Sequence, residues 1–202
     1  MQKITLILVA FALVLIISGL ALVSAPQKIA SDAGPKPVAA GKFGGSFTLT
    51  DHNGNIFTDK DLEGKYALIY FGFTYCPAIC PTELAKMADA LEGLGTDADS
   101  IQPVFITVDP ERDTVDVMKG YVAHFYPTLI GLTGTMEQIE QAKKAYKVYA
   151  AKVEDPAMND YTMDHSSYIY FMAPDGALLS LFKTQDTAES MIDSIKKWMR
   201  KS

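Results

Sequence analysis

The distribution of apolar and polar residues along most of the chain predicts an α/β domain. Two near-continuous apolar runs, 66–71 and 104–108, are typical of buried strands. A helical pattern follows each run, over 81–94 and 114–125, and this order predicts a parallel pair of strands. The other predicted elements are a hairpin over 46–50 and 55–58, a strand over 128–132, a helix over 136–146, a hairpin over 167–172 and 177–182, and a helix over 187–200.

The order of these elements predicts a thioredoxin-like fold with an N-terminal β-hairpin extension. Asn53-Gly54 supplies the positive φ angles that a tight hairpin turn needs, and Pro174-Asp175-Gly176 is a second turn signal. Between residues 146 and 167 no clear period is visible, so we expect an irregular inserted segment there.

The N-terminus contains an uncharged apolar run over residues 4–23. Its length suits a hydrocarbon core of about 30 Å, so residues 1–23 are predicted to form a single transmembrane anchor. A cleaved signal peptide is the alternative, because Val23-Ser24-Ala25 resembles a cleavage site, although signal peptides have shorter apolar regions of about 7–15 residues. Lys3 before the run predicts a cytoplasmic N-terminus and therefore a periplasmic or extracytoplasmic domain.

The rest of the chain predicts a tether followed by one domain. Residues 24–42 are rich in Pro, Gly and Ala and cannot bury a core, whereas residues 43–202 are sufficient for one domain. The formal net charge of −6 argues against nucleic acid as a partner. No Arg- and Ser-rich transit peptide precedes the run, which favours the cytoplasmic (inner) membrane of a bacterium.

Two cysteines, Cys76 and Cys80, follow the first apolar strand. Sites in open α/β sheets lie at the carboxyl ends of strands, where the N-terminus of a helix lowers the pKa of a nearby thiol. Pro81 suits the first turn of a helix, so Cys80 is expected at its start and Cys76 in the loop before it. A separation of about 6 Å between their Cα atoms would allow either a disulfide or a shared metal.

Three interpretations of this pair remain open on spacing alone. A structural disulfide is one, although closing so short a loop removes little chain entropy. A redox-active dithiol is the second and a metal site is the third. The pattern Thr74-Tyr75-Cys76 also loosely resembles that of a thiol peroxidase.

His165 favours the metal interpretation. It precedes the predicted strand 167–172, which in a thioredoxin-like sheet neighbours the strand that leads to Cys76. Two thiolates and one imidazole are a soft ligand set that suits Cu(I) and can also hold Cu(II). Structural zinc sites have four protein ligands, and no third cysteine is present in the sequence. A histidine in this position is also often a hydrogen-bonded residue without a ligand role.

Three stretches carry a resemblance to a known family. Phe71-Gly-Phe-Thr-Tyr-Cys-Pro-Ala-Ile-Cys-Pro-Thr-Glu83, Phe105-Ile-Thr-Val-Asp-Pro-Glu-Arg-Asp-Thr114 and Asp164-His165-Ser166 occur in this order. Together they resemble the Sco (SenC) family of copper-binding assembly factors for cytochrome c oxidase. The resemblance runs from about residue 43 to the C-terminus and includes the single N-terminal anchor.

The resemblance implies that Cys76, Cys80 and His165 bind copper. It also implies a partner, the copper-site subunit of cytochrome c oxidase, whose dinuclear copper site the domain would supply or keep reduced. Another copper chaperone or a thiol reductase is a further expected partner. The family commonly has an acidic residue where Ala78 stands here, and loss of that carboxylate should lower the thiol pKa values.

Several other residues are weaker candidates. Met158 and Met163 could add a thioether ligand, and Asp109 could orient a ligand or cap the next turn. Tyr75 could shield the site. We expect His52 and His124 to be surface or packing residues, and Asp51-x-Asn53-x-Asn55 lacks the Gly and Glu positions of an EF-hand loop.

Overall fold

A seven-stranded mixed sheet forms the centre of the fold in the computed structural model, which describes residues 43–155 and 160–200. The strands are β1 (Thr48–Asp51), β2 (Ile56–Thr58), β3 (Tyr66–Gly72), β4 (Ile101–Thr107), β5 (Ile130–Thr133), β6 (Ala150–Asp155), β7 (Asp160–His165), β8 (Tyr168–Met172) and β9 (Leu178–Lys183). The helices are α1 (Ile79–Leu94), α2 (Val115–Val122), α3 (Met136–Tyr146) and α4 (Ala188–Met199), and two 3-10 turns occupy Asp59–Leu62 and Gly95–Ser100.

The strand order is β2-β1-β5-β4-β3-β8-β9. Strands β3, β4 and β5 are parallel, which confirms the parallel pair expected from the alternation of strands and helices. Strand β8 pairs with β3 in the antiparallel sense, and the hairpin of β1 and β2 adds to β5. Because Gly72 of β3 lies opposite Thr107 of β4, the segments that follow these two strands leave the sheet side by side.

Strand β3 is buried at all of its positions because helices cover both faces of the sheet. Side chains alternate between the faces of a strand, so Tyr70 and Phe71 point to opposite sides. The Tyr70 hydroxyl reaches the sulfur of Cys80 in α1, whereas the ring of Phe71 packs on Tyr146 of α3. Burial on two sides explains why this strand is an uninterrupted apolar run in the sequence.

Helix starts are defined by threonine caps. The side chains of Thr114, Thr135 and Thr187 accept backbone N–H groups at the starts of α2, α3 and α4. Helix α1 differs, because its N-cap is Ala78 and no side chain caps it. The first turn of α1 therefore keeps backbone N–H groups available to the sulfur of Cys76.

The expectation of an irregular segment between residues 146 and 167 is wrong. Strands β6 and β7 form a separate antiparallel hairpin there, with Ala150 opposite His165 and Asp155 opposite Asp160. Among the described strands, these two pair only with each other, so neither has the continuous apolar run that is typical of the central strands. His165 is the last residue of β7, three positions before β8 begins at Tyr168.

The predicted anchor 1–23, the predicted tether 24–42 and Met158 lie outside the described residues. Within the described ranges, no helix combines the length and apolar character that crossing a bilayer requires.

Candidate metal centre

Cys76 and Cys80 lie where β3 leaves the sheet and α1 begins, as the sequence predicts. Cys80 is the second residue of α1 and is fully buried, whereas Cys76 lies in the preceding loop and is partly exposed. Both thiols are free. The backbone N–H of Cys80 donates to Cys76 Sγ at 3.3 Å, so the start of the helix faces the more exposed sulfur.

His165 meets this pair from the β6–β7 hairpin. Its Nε2 lies 3.5 Å from Cys80 Sγ, and the Tyr70 hydroxyl approaches the same sulfur at 3.6 Å. The imidazole ring stands edge-on to the rings of Phe73 and Tyr70, with centroids 5.7 and 6.4 Å away. Aromatic packing therefore holds the histidine ring against the buried cysteine.

The second ring nitrogen of His165 identifies its tautomer. Nδ1 lies 3.1 Å from the carbonyl oxygen of Ser166, and a carbonyl oxygen can only accept a hydrogen bond. Nδ1 therefore carries a hydrogen, and Nε2 is the nitrogen that faces Cys80 Sγ. Histidine ligands of metals commonly have this arrangement, in which the nitrogen away from the metal donates to a carbonyl.

Gly72 allows the close packing around Cys80. A Cβ atom at position 72 would lie 2.8 Å from Cys80 Sγ and 3.0 Å from ring atoms of both Phe105 and Tyr70. Any side chain there would push the sulfur out of its position, which gives the last residue of β3 a direct role in shaping the site.

The two thiols differ in acidity. A hydrogen bond from the thiol of Cys80 lowers the pKa of Cys76 to about 4, opposed by partial burial and supported by hydrogen bonds from His165 and from the backbone N–H groups of Cys80 and Ala78. The same interaction with Cys76, together with burial, raises the pKa of Cys80. The expectation of low pKa values therefore holds for Cys76 alone, and the pair shares one negative charge near neutral pH.

We expect alkylation of Cys76 by iodoacetamide to depend little on pH. A thiol with a pKa of about 4 is already a thiolate at about pH 6, so the rate should change less than about twofold from there to about pH 8. The labelled peptide can be quantified by mass spectrometry. In Cys80→Ala the thiol donor is lost and the pH dependence should become steeper, whereas a rise of about tenfold per pH unit in the wild type would contradict the assignment.

The ligand set fits copper by its chemistry. Two sulfurs and one imidazole nitrogen are soft and intermediate donors, which suit Cu(I). Among residues 43–155 and 160–200, no three Cys, His, Asp or Glu side chains already form a complete metal-binding group. Cys76, Cys80 and His165 are instead in contact through hydrogen bonds, and their side chains would have to shift to share one ion.

Asp113 holds the loop that leads to Cys76. Its buried carboxylate accepts from the backbone N–H of Thr74 at 3.0 Å and from the hydroxyls of Thr74 and Thr107, both at 2.5 Å. Burial raises the pKa of Asp113 despite these three donors. Because Thr107 ends β4 and Thr74 follows β3, this single carboxylate joins the ends of both strands.

Arg112 holds the hairpin that carries His165. Its guanidinium lies 3.8 Å from the centroid of the Tyr161 ring, donates from Nη1 to the Tyr161 carbonyl at 2.9 Å and pairs through Nε with Asp109. On the other side it lies 4.7 Å from the Tyr75 ring centroid. Arg112 thus connects strand β7 with the residue next to Cys76.

Comparisons with known proteins assign the chain to a family. The SCO1/SenC family model matches residues 35–200. The chain belongs to the SCO1/SenC family. The SCO2 homologue of Bos taurus mitochondria is 43% identical over 157 residues, which are 77% of this Sco chain and 59% of the relative. This chain spans about 59–61% of the length of the first curated relatives it matches.

Solved Sco structures share the fold. The crystal structure of Arabidopsis thaliana ScoI with copper bound matches with a TM-score of 0.75 and 41% identity, over 79% of this Sco chain and 99% of the other. BsSco, described as a member of the Sco family of cytochrome c oxidase assembly proteins with a disulfide switch, matches with a TM-score of 0.63 and 27% identity, over 81% and 96% of the two chains. The thioredoxin-like expectation is therefore confirmed for the described domain.

Other candidate residues of this Sco chain have different roles from those expected. Asp109 neither touches a cysteine or His165 nor caps the next turn with its side chain; it binds Arg112 and the hydroxyl of Tyr161. Met163 is buried in the core. Tyr75 is exposed and its ring packs on Arg112.

The remaining histidines and the Asp51 segment behave as structural residues. His52 accepts the backbone N–H of Gly131 at 3.0 Å, and His124 is exposed on the surface. The Asp51 carboxylate accepts hydrogen bonds from the backbone N–H groups of Asn53 and Asn55, so the Asp51-x-Asn53-x-Asn55 pattern stabilises the turn of the β1–β2 hairpin.

Sequence reasoning missed four residues that hold the site: Tyr70, Arg112, Asp113 and Tyr161. Arg112 and Asp113 lie in one of the stretches that carry the family resemblance, so their position was noticed but their role was not. Tyr70 and Tyr161 gave no signal, because one is part of an apolar run and the other lies in a hairpin that was not expected.

Proposed function

We propose that this Sco protein binds copper through Cys76, Cys80 and His165 and delivers it to the copper-site subunit of cytochrome c oxidase during assembly. The observation that carries the proposal is the orientation of His165. Its Nε2 faces Cys80 Sγ at 3.5 Å, while Nδ1 lies 3.1 Å from the carbonyl oxygen of Ser166. The ring nitrogen that is not used by the backbone therefore points at the buried sulfur, as a shared metal ion would require.

The comparisons support copper as the cargo. The similar ScoI of Arabidopsis thaliana and Sco1 of yeast are both described with copper bound. BsSco is described as belonging to a family of cytochrome c oxidase assembly proteins. We propose that the copper carried by this chain is delivered to the dinuclear copper site of the oxidase.

The accessibility of the two sulfurs suits transfer of copper. Cys80 is fully buried, whereas Cys76 is partly exposed and has a lowered pKa of about 4. A thiolate is ready to bind copper without first losing a proton at neutral pH. The exposed sulfur is also the one that an incoming ligand of a partner can approach.

The cellular setting is part of the same proposal. The uncharged run over residues 4–23 supports a membrane anchor, with the domain on the periplasmic side of a bacterial inner membrane. Supply of copper by another chaperone, or of electrons by a thiol reductase, would fit this location.

A thiol-disulfide oxidoreductase is the second candidate function. The two free thiols and the lowered pKa of Cys76 favour it. In that reaction the Cys76 thiolate would attack a partner disulfide, and Cys80 would then displace the partner sulfur. Cys76 and Cys80 would end as one disulfide, and their two electrons, the proton of Cys80 and one proton from water would leave the partner with two thiols.

Titration of the full chain in detergent with Cu(I), against a competing chelator and without oxygen, tests the leading proposal. We expect one equivalent of Cu(I) to bind tightly, and the double variant Cys76→Ser/Cys80→Ser to lose this binding. Ile56→Ser is the control, because Ile56 is exposed on edge strand β2. Equal copper binding by the wild type and the double variant would refute the proposal.

A further inference from the structure

An apolar groove on the surface of the domain is lined in part by Thr74 and Tyr75, the two residues that precede Cys76. It has a volume of about 380 Å³ and is open to solvent along its length. We call it the Tyr75 groove, and its lining residues are Thr74, Tyr75, Val117, Gly120, Tyr121 and His124. Its volume suits one or two large side chains of a guest molecule.

Exposed apolar side chains are concentrated around the metal centre. Eight large apolar residues are exposed in the described parts of the chain. Most lie next to the cysteines, on the β6–β7 hairpin and its flanks, or in the Tyr75 groove, whereas Ile56 and Met136 lie elsewhere. Exposed apolar surface of this kind marks sites of protein association. The members near the site are Tyr75, Ile79, Val117, Tyr149, Val153 and Tyr168.

The wall of the groove is held in place by stacked rings. Tyr121 packs against Phe105 of β4 and Phe125, with ring centroids 5.5 and 5.1 Å apart. The ring of Tyr75 rests on Arg112, whose guanidinium is fixed by Asp109. A guest would therefore meet a surface that needs little ordering on binding, which favours affinity.

Charges near the groove favour a basic guest. The cations Arg112 and Lys152 are already paired with Asp109 and Glu111. Exposed carboxylates remain close to the site, with Asp116 next to Val117 and Asp164 next to His165, and the chain has a net charge of −6. Lys119 is one exposed cation in the same helix as Val117.

We propose that the Tyr75 groove docks a segment of the copper-accepting protein, with an apolar side chain in the groove and basic residues opposite the surrounding carboxylates. The proposal rests on the proposed function and names the surface through which it operates. Docking there would bring the partner's ligands to Cys76, the more exposed of the two sulfurs. Apolar contact would supply affinity and charge would supply orientation and rate of encounter.

Calorimetric titration with the purified copper-site domain of the oxidase subunit from the same organism tests the docking site. We expect Val117→Ser to weaken binding by the full chain about fivefold to tenfold, because it removes an apolar side chain from the groove. Val117→Ile should bind like the wild type. Ile56→Ser is the matched control, because it removes an apolar side chain that is 76% exposed on another part of the surface. Binding should also weaken as salt is added.

Each outcome decides between the docking site and its rivals. Equal affinities of Val117→Ser and Ile56→Ser would overturn the proposal, as would self-association of the wild type that Val117→Ser abolishes. Titration with Cu(I) of the same samples keeps the two proposals apart. Copper binding without any binding of the domain would overturn the docking site alone, whereas groove-dependent docking without copper binding would overturn the proposed function alone.

Discussion

His165→Ala should lower the affinity for Cu(I) by at least about 100-fold while preserving reduction of a disulfide substrate. Loss of the residues that merely support a metal ligand costs about 10–100-fold in affinity, so loss of a ligand itself should cost more. The dithiol chemistry uses only Cys76 and Cys80. Because Nε2 of His165 faces Cys80 Sγ at 3.5 Å, its removal separates the two candidate functions.

The measurement combines competitive titration of Cu(I) with a disulfide-reduction assay on the same variants. Ile56→Ser is the control, since Ile56 is exposed on edge strand β2, which β1, β5 and β4 separate from β3. Cys76→Ser should lose both activities, because the exposed sulfur serves both. Unchanged copper affinity in His165→Ala would identify the site as a dithiol centre without a histidine ligand.

The central strands and the cysteine motif could be predicted because their causes are local. The run 66–71 is apolar because β3 is buried on both faces, and its continuity is visible in the sequence. Pro81 and the position of the cysteines after that run likewise placed Cys80 in the first turn of α1. A thioredoxin-like fold places β8 beside β3, and this pairing predicted that His165, just before β8, lies near the sulfurs.

The β6–β7 hairpin and its attachment could not be predicted because their causes are distant in sequence. The hairpin buries little apolar surface, so its strands have no apolar run to reveal them. It is held instead by Arg112, which contacts the carbonyl and the ring of Tyr161. Nothing in the local sequence of either residue indicates the other, and the same is true of Thr74 and Asp113.

Asp113→Ala should destabilise the domain by about 3–5 kcal/mol, which is large for one substitution. The substitution would remove the acceptor for three donors, the backbone N–H of Thr74 and the hydroxyls of Thr74 and Thr107. Each donor left unsatisfied inside the protein costs about 1–3 kcal/mol. Thermal unfolding followed by circular dichroism should show a decrease in Tm of about 10 °C or more.

Two further variants show whether this effect comes from the hydrogen bonds. Asp113→Asn keeps the shape and one acceptor oxygen, so it should lose only about 1–2 kcal/mol. Asp116→Ala is the control, because Asp116 is an exposed carboxylate in the first turn of α2, where loss of a favourable dipole interaction costs about 0.3–1 kcal/mol. If Asp113→Ala were no more destabilising than Asp116→Ala, the loop before Cys76 would have to be held by other contacts. Thr74 lies two residues before Cys76, so loss of its hydrogen bonds in Asp113→Ala should also loosen the loop that positions the Cys76 sulfur. This is the more exposed sulfur, which copper and a partner would meet first.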